Sequence, residues 1–116
     1  IHEIVIEDAA HTNTICISDY IDEPLPAFLW KFDAHRVKFP LKLRRKNTGD
    51  IFFPTGMQGR KKVSKFFKDE KLSTIEKQRI WILTDADAEV LGIIPHRQDR
   101  RKQAREETQN LLNIRD

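Results

Sequence analysis

Lys61, Lys65 and Lys68 are spaced to fall within about 60° of one another on an α-helix, opposite Val63, Phe66 and Phe67. Lys65 has Asp69 four residues on, whereas Lys61 and Lys68 have no acid at helical spacing. Unpaired like charges on one helix face cost a few tenths of a kcal/mol each. A nucleic-acid phosphate would offset that cost, and counterion release would drive association. The helix start, with Gly59 before it and Arg60 and Lys61 beside it, suits one further phosphate. Arg44, Arg45 and Lys46 add charge at the end of the preceding apolar run, and Arg97, Arg100, Arg101, Lys102 and Arg105 crowd around Asp99. The competing reading of the same residues is a solvated basic face.

Catalytic chemistry has far less support. His2, His11, His35 and His96 are widely spaced, and no His-Glu-x-x-His or Cys-x-x-Cys pattern occurs, so a metal site is not expected. Cys16 lies in an apolar run and reads as a small buried residue, not a nucleophile. Asp85, Asp87 and Glu89 read as an acidic turn between two apolar runs, and Asp50 after Gly49 as a turn residue that binds nearby amides. A phosphoesterase built on Asp50 with Asp85 and Asp87 therefore ranks well behind. A Walker loop is excluded because Gly56 and Gly59 stand too close and Arg60 follows Gly59. The chain is expected to be non-catalytic, with no catalytic residue and no metal of its own.

Charge is distributed unevenly along the 116 residues, whose net charge is +3. Residues 1–40 carry three Lys/Arg against seven acids, and residues 41–79 carry twelve against four. Such asymmetry points to an anionic partner. A hydrophobic fraction of 39% suffices for a core. The apolar runs are too short to span a membrane, and the acidic opening is unlike a signal peptide. A single cysteine excludes an internal disulfide and fits a reducing compartment, so a cytoplasmic location is expected. The chain begins on Ile1, which reads as a piece of something longer.

The elements that must position these residues can be read from periodicity. Segments 3–7 and 14–18 are β-branched and predict a hairpin across His11-Thr12-Asn13. Pro24 and Pro26 punctuate, and Phe28–Phe32 is a strand. Leu41-Lys42-Leu43-Arg44 alternates, with the leucines on one face and the basic residues on the other. Residues 51–53 form a short strand stopped by Pro54, and 54–59 is a loop in which Gly56 and Gly59 can take positive φ. A helix is predicted from Lys61 to about Lys71, and a second from the capping-box sequence Ser73-Thr74-Ile75-Glu76 to about Arg79. Segments 80–83 and 90–94 are strands, and 111–114 reads as a last strand over a helix. Strands, two short helices and more strands predict an α+β domain.

The run Leu41-Lys42-Leu43-Arg44-Arg45-Lys46, then Gly49-Asp50, then Pro54-Thr55-Gly56-Met57-Gln58-Gly59-Arg60-Lys61-Lys62-Val63-Ser64-Lys65-Phe66-Phe67 and Asp69-Glu70-Lys71, resembles the C-terminal domain of tRNA(Ile)-lysidine synthase. In that family an arginine precedes Gly-Asp, and a Gly-Met-x-Gly turn, two lysines and a Phe-Phe helix follow in fixed order. The likeness extends through Arg79, Arg97 and Thr108, covering about residues 27–116, with residues 1–26 as an approach segment packed on that domain. Pro95 and His96 before Arg97, and the basic run Arg100-Arg101-Lys102, depart from the family's usual residues. The resemblance implies a small layered β-sandwich with one or two short helices, related to a module of the phenylalanyl-tRNA synthetase β-subunit. It further implies a parent ligase that joins lysine to the wobble cytidine of tRNA(Ile), using ATP with Mg in an N-terminal domain whose Ser-Gly-Gly-x-Asp-Ser loop this sequence lacks. The present segment would then grip the tRNA acceptor stem and meet the catalytic domain. Its expected contacts are Arg44, Arg45, Arg60, Lys61, Lys62, Lys65, Lys68, Arg97, Arg100 and Arg101, with Gly49, Asp50, Gly56 and Gly59 shaping turns. The alternative is a non-catalytic interaction module holding the parent's domains together, in which Trp30 and Trp81 would be exposed; in apolar strands they are expected in the core.

Overall fold

The structure is a computed structural model that describes residues 3–7 and 13–116. Among the described residues ten strands and two α-helices follow in order: β1 (Ile4–Ile6), β2 (Thr14–Cys16), β3 (Leu29–Asp33), β4 (Leu41–Arg44), β5 (Ile51–Phe52), β6 (Lys61–Lys62), α1 (Val63–Asp69), α2 (Thr74–Arg79), β7 (Trp81–Thr84), β8 (Val90–Ile94), β9 (Arg97–Gln98) and β10 (Leu111–Arg115). They build a five-stranded sheet in the order β1-β4-β7-β8-β9, a three-stranded sheet β2-β10-β3, and the ribbon β5-β6.

Three layers result. Trp30, Phe32, Leu112 and Ile114 of the three-stranded sheet meet Ile6, Leu41, Leu43, Trp81 and Leu83 of the five-stranded sheet in one core. On the other face of that larger sheet, Ile82, Val90 and Ile93 pack with Phe52, Val63, Phe66 and Phe67 in a second core. A sheet covered on both faces needs apolar side chains at every position, which is why β7 and β8 read as continuous runs while β4 alternates. Between Leu83 and Thr84 the register shifts so that Leu91 bulges, placing both Leu91 and Ile94 in the first core. Gly92 allows this close approach: a Cβ there would stand 2.4 Å from the Trp30 ring. The expected α+β layered sandwich is present, and both tryptophans are buried.

Two expectations are corrected. β1 and β2 do not form a hairpin: β1 pairs antiparallel with β4, and β2 pairs parallel with β10. Each strand pairs instead with a longer strand from a distant part of the chain, whose inward-facing residues (Leu41 and Leu43, Leu112 and Ile114) are buried in the first core, and the connecting residues 8–12 lie outside those described. The helix does not begin at Lys61. Lys61 and Lys62 pair with Phe52 and Ile51, and the Val63 N–H donates to the Asp50 carbonyl at 2.9 Å. This ribbon uses the backbone groups through Val63, so α1 starts there. It ends in a Schellman turn, with Leu72 N–H to Phe67 O at 3.1 Å, Lys71 N–H to Lys68 O at 3.0 Å, and Lys71 at φ 54°. The capping box of α2 is formed as read: Ser73 Oγ accepts the Glu76 N–H, and Glu76 Oε1 accepts the Ser73 N–H. Hydrogen bonds to the Ser73 backbone and then its hydroxyl lower the Glu76 pKa. The tail is a strand, flanked by β2 and β3. Cys16, expected buried, is half-buried and carries no disulfide.

Candidate nucleic-acid interface

The loop between β5 and β6 is held from beneath by two of the arginines expected to contact RNA. Arg97 Nη1 donates to the Thr55 carbonyl at 3.1 Å, and Arg100 Nη1 donates to the carbonyls of Gly59 at 3.0 Å and Pro54 at 3.3 Å. The Thr55 N–H donates to Gln98 O at 3.0 Å. Gly56 and Gly59 take φ of 76° and 70°, the left-handed conformation the turn reading anticipated. A loop braced in this way presents Met57, Gln58 and Arg60 outward, all exposed.

Between this loop and α1 lies a cleft of about 470 Å³, walled by Met57, Gln58, Arg60, Lys61, Lys62 and Lys65 with Asp69 the acid among them. Lys61 reaches it from the ribbon and Lys65 from the helix. The row of lysines expected on one helix thus becomes a convergence of two elements. Lys61, read as lacking an acid, pairs with Asp69, which also receives Lys65 Nζ at 2.8 Å. Hydrogen bonds from Lys61 and then Lys65 hold the Asp69 carboxyl down at about 2. Two ammonium groups therefore share one carboxylate, and a positive charge is left over. Arg60 and Lys62 are exposed and have no acid partner among the described residues. Lys68 is likewise exposed and unpaired among them, but it stands outside the cleft walls. The expected phosphate seat at the helix start is not formed as read, because two strand residues intervene and the Val63 amide is already bonded.

The other candidates are engaged within the fold. Arg44 makes a two-toothed pair with Asp50, Nη1 to Oδ2 at 2.9 Å and Nη2 to Oδ1 at 3.0 Å, with side chains only 15% and 11% exposed. Asp50 also accepts the Asn47 N–H at 2.7 Å, the turn role expected of it after Gly49. Arg45 stacks with its Cζ 3.7 Å from the Trp81 ring centroid, donates to Ile80 O at 3.0 Å and pairs with Glu23 at 2.8 Å. Arg101 bonds Asp99 and Glu89. Asp85, in the acidic turn, is buried and bonded by Lys102. The nearby partners of Arg44 and Arg101, six and two residues away, could have been suspected from sequence; the clamp of Arg97 and Arg100 on the 54–59 loop had no local signal. Among the described residues no three His, Cys, Asp or Glu side chains gather as metal ligands, and no helix is long and apolar enough to cross a membrane.

No protein-family profile matches the chain. It is 44% identical over 82 residues to the tRNA(Ile)-lysidine synthase of Parabacteroides distasonis, covering 71% of this chain and 18% of that protein. It is 33% identical over 81 residues to the same-named protein of Bacteroides thetaiotaomicron, covering 70% and 19%. The chain thus matches less than a fifth of the length of these curated relatives. Its fold is similar to the crystal structure of a TILS C-terminal domain, with a TM-score of 0.64 at 26% identity over 81% of this chain and 72% of that one. Sequence and architecture agree with the resemblance carried by the Gly-Asp, Gly-Met-x-Gly and Phe-Phe positions: the chain belongs to the tRNA(Ile)-lysidine synthase family and has the fold of its C-terminal domain.

Proposed function

We propose that this domain grips tRNA(Ile) through the cleft between the 54–59 loop and α1, at the acceptor stem, while the rest of its parent protein ligates lysine to the wobble cytidine with ATP and Mg. The observation that carries this reading is the convergence of Arg60, Lys61, Lys62 and Lys65 around a single acid. An RNA stem buries its base edges in a deep, narrow groove, so a protein holds it chiefly by its phosphates and shape. A rigid sandwich that presents cations from a braced loop and a ribbon suits that task. Holding the far arm of the tRNA raises the effective concentration of the anticodon at a tethered catalytic domain. Membership in a family of tRNA-modifying enzymes supports tRNA and that catalytic domain as partners, and a cytoplasmic location with them.

The test is titration of an acceptor-stem RNA hairpin at several salt concentrations. Each phosphate contact contributes about 0.7–0.9 to the log–log slope of affinity against salt. Changing Arg60 and Lys62 together to Gln should flatten the slope by roughly 1–2 without moving the melting temperature, because both side chains are exposed and unpaired among the described residues. Identical slopes for wild type and variant would return the cleft to the status of a solvated basic face.

A further inference from the structure

Arg36 lies across a second cleft from residues more than sixty positions away in the chain. This cleft, about 490 Å³, is lined by Arg36, Arg100, Arg101, Lys102 and Arg105, with Glu89 the acid among them. Its floor is fixed by backbone bonds between β3 with the turn after it and the segment after β9. Asp33 N–H donates to Lys102 O at 2.9 Å, Ala104 N–H to Lys31 O at 2.9 Å, and Phe32 bridges Gln103. Arg36 ends a 3-10 turn, Ala34–Arg36, capped by Asp33 Oδ1 accepting the His35 N–H at 3.1 Å.

The cations divide into two kinds. Arg101 and Lys102 are anchored by acids beneath and beside them: Asp99 and Asp85, each 2% exposed, and the half-buried Glu89. Burial pushes the Lys102 pKa down, but the hydrogen bonds it donates to Asp85 and Glu89 outweigh it and leave the group above its ordinary value, firmly charged. Arg36 and Arg105 are exposed and have no acid partner among the described residues. Arg100 spends Nη1 on the carbonyls of Pro54 and Gly59, and among the described residues its Nη2 donates to nothing. Buried ion pairs add little net stability but fix where their charges sit. Here they hold two cations in place while three arginines crowd the mouth with donors to spare, an arrangement that repels itself until an anion enters. Arg100 also links the two clefts: it lines this one and holds, through the Pro54 and Gly59 carbonyls, the loop whose Pro54 lines the first.

We propose that the Arg36–Arg105 cleft is a second phosphate-binding site, which takes backbone phosphates of the same RNA that the first cleft holds. The inference rests on the RNA-binding reading above, so its test separates the two. An acceptor-stem hairpin is titrated across a salt series with four proteins: wild type, Arg36→Gln with Arg105→Gln, Arg60→Gln with Lys62→Gln, and all four changes together. The second site requires the Arg36/Arg105 pair to flatten the log–log slope by about 1–2, and the fourfold variant to lose about the sum. Arg36→Lys with Arg105→Lys should keep the wild-type slope, and the melting temperature should be unchanged in every variant. If only the Arg60/Lys62 pair flattens the slope, the second site is overturned and the first stands. If only the Arg36/Arg105 pair does so, the second site stands and the first falls. A wild-type affinity without salt dependence would overturn both.

Discussion

Asp69→Asn should make the domain bind RNA more tightly. Asp69 is the acid lining the first cleft, shared by Lys61 and Lys65, so the trio presents one surplus positive charge. Asparagine keeps the shape but removes the anion, leaving two ammonium groups for phosphates where one was in surplus. One more phosphate contact steepens the log–log salt slope by about 0.9. Across a fourfold rise in salt, from 50 to 200 mM, the variant should then lose about 3.5 times more affinity than wild type does, with its advantage greatest at low salt. Asp69 also ends α1, where a negative charge opposes the helix dipole, so its loss should not unravel the helix. Fluorescence anisotropy of a labelled acceptor-stem hairpin would measure both quantities. The pH dependence follows from the lowered carboxyl. With the folded pKa at about 2 and the ordinary value at 3.8, the stability contributed by the ionised group is complete above about 4 and lost as pH falls through 2. The difference between variant and wild type should therefore be constant from pH 8 to 5, in melting as in binding. Unchanged or weaker RNA affinity in Asp69→Asn would refute the cleft as a phosphate site and leave the trio as a surface staple.

Further outcomes test the scaffold. Gly92→Ala would press a Cβ to within 2.4 and 2.6 Å of the buried Trp30 ring and should cost about 1–3 kcal/mol, read as a melting temperature lower by at least about 4 °C; a change under a degree would mean the sheets separate more easily than their packing implies. Asp50→Ala strands the largely buried Arg44 guanidinium and frees the Asn47 amide, so a loss of roughly 3 kcal/mol is expected in denaturant unfolding. Ser73→Ala removes one half of the capping box and should cost about 1 kcal/mol by the same measurement, without touching RNA affinity.

What the sequence determined by itself was local. Alternation at Leu41–Arg44, the apolar runs read at 80–83 and 90–94, the Ser73–Glu76 box and the two glycines of the 54–59 loop each specify their conformation through neighbours a few residues away, and each is found, the first of the two strands one residue later than read, at Trp81–Thr84. The ordered Gly-Asp, Gly-Met-x-Gly and Phe-Phe positions were enough to point to the family. Tertiary structure decided what those elements touch. β1 leaves its expected hairpin for β4, because a three-residue strand gains more from a longer, buried partner than from a local one. Lys61 and Lys62 join β5 instead of α1, because ribbon hydrogen bonds reach them before the helix begins. The functional meaning of each cation was likewise undecided until distant residues met. Arg45 goes to Glu23 and Trp81, Lys102 to Asp85, and Arg97 and Arg100 to loop carbonyls, while Arg36 is carried to the 100–105 segment. A charge is free for a ligand only when nothing in the folded chain has already neutralised it, and through-space distance sets that, with no periodic trace along the sequence.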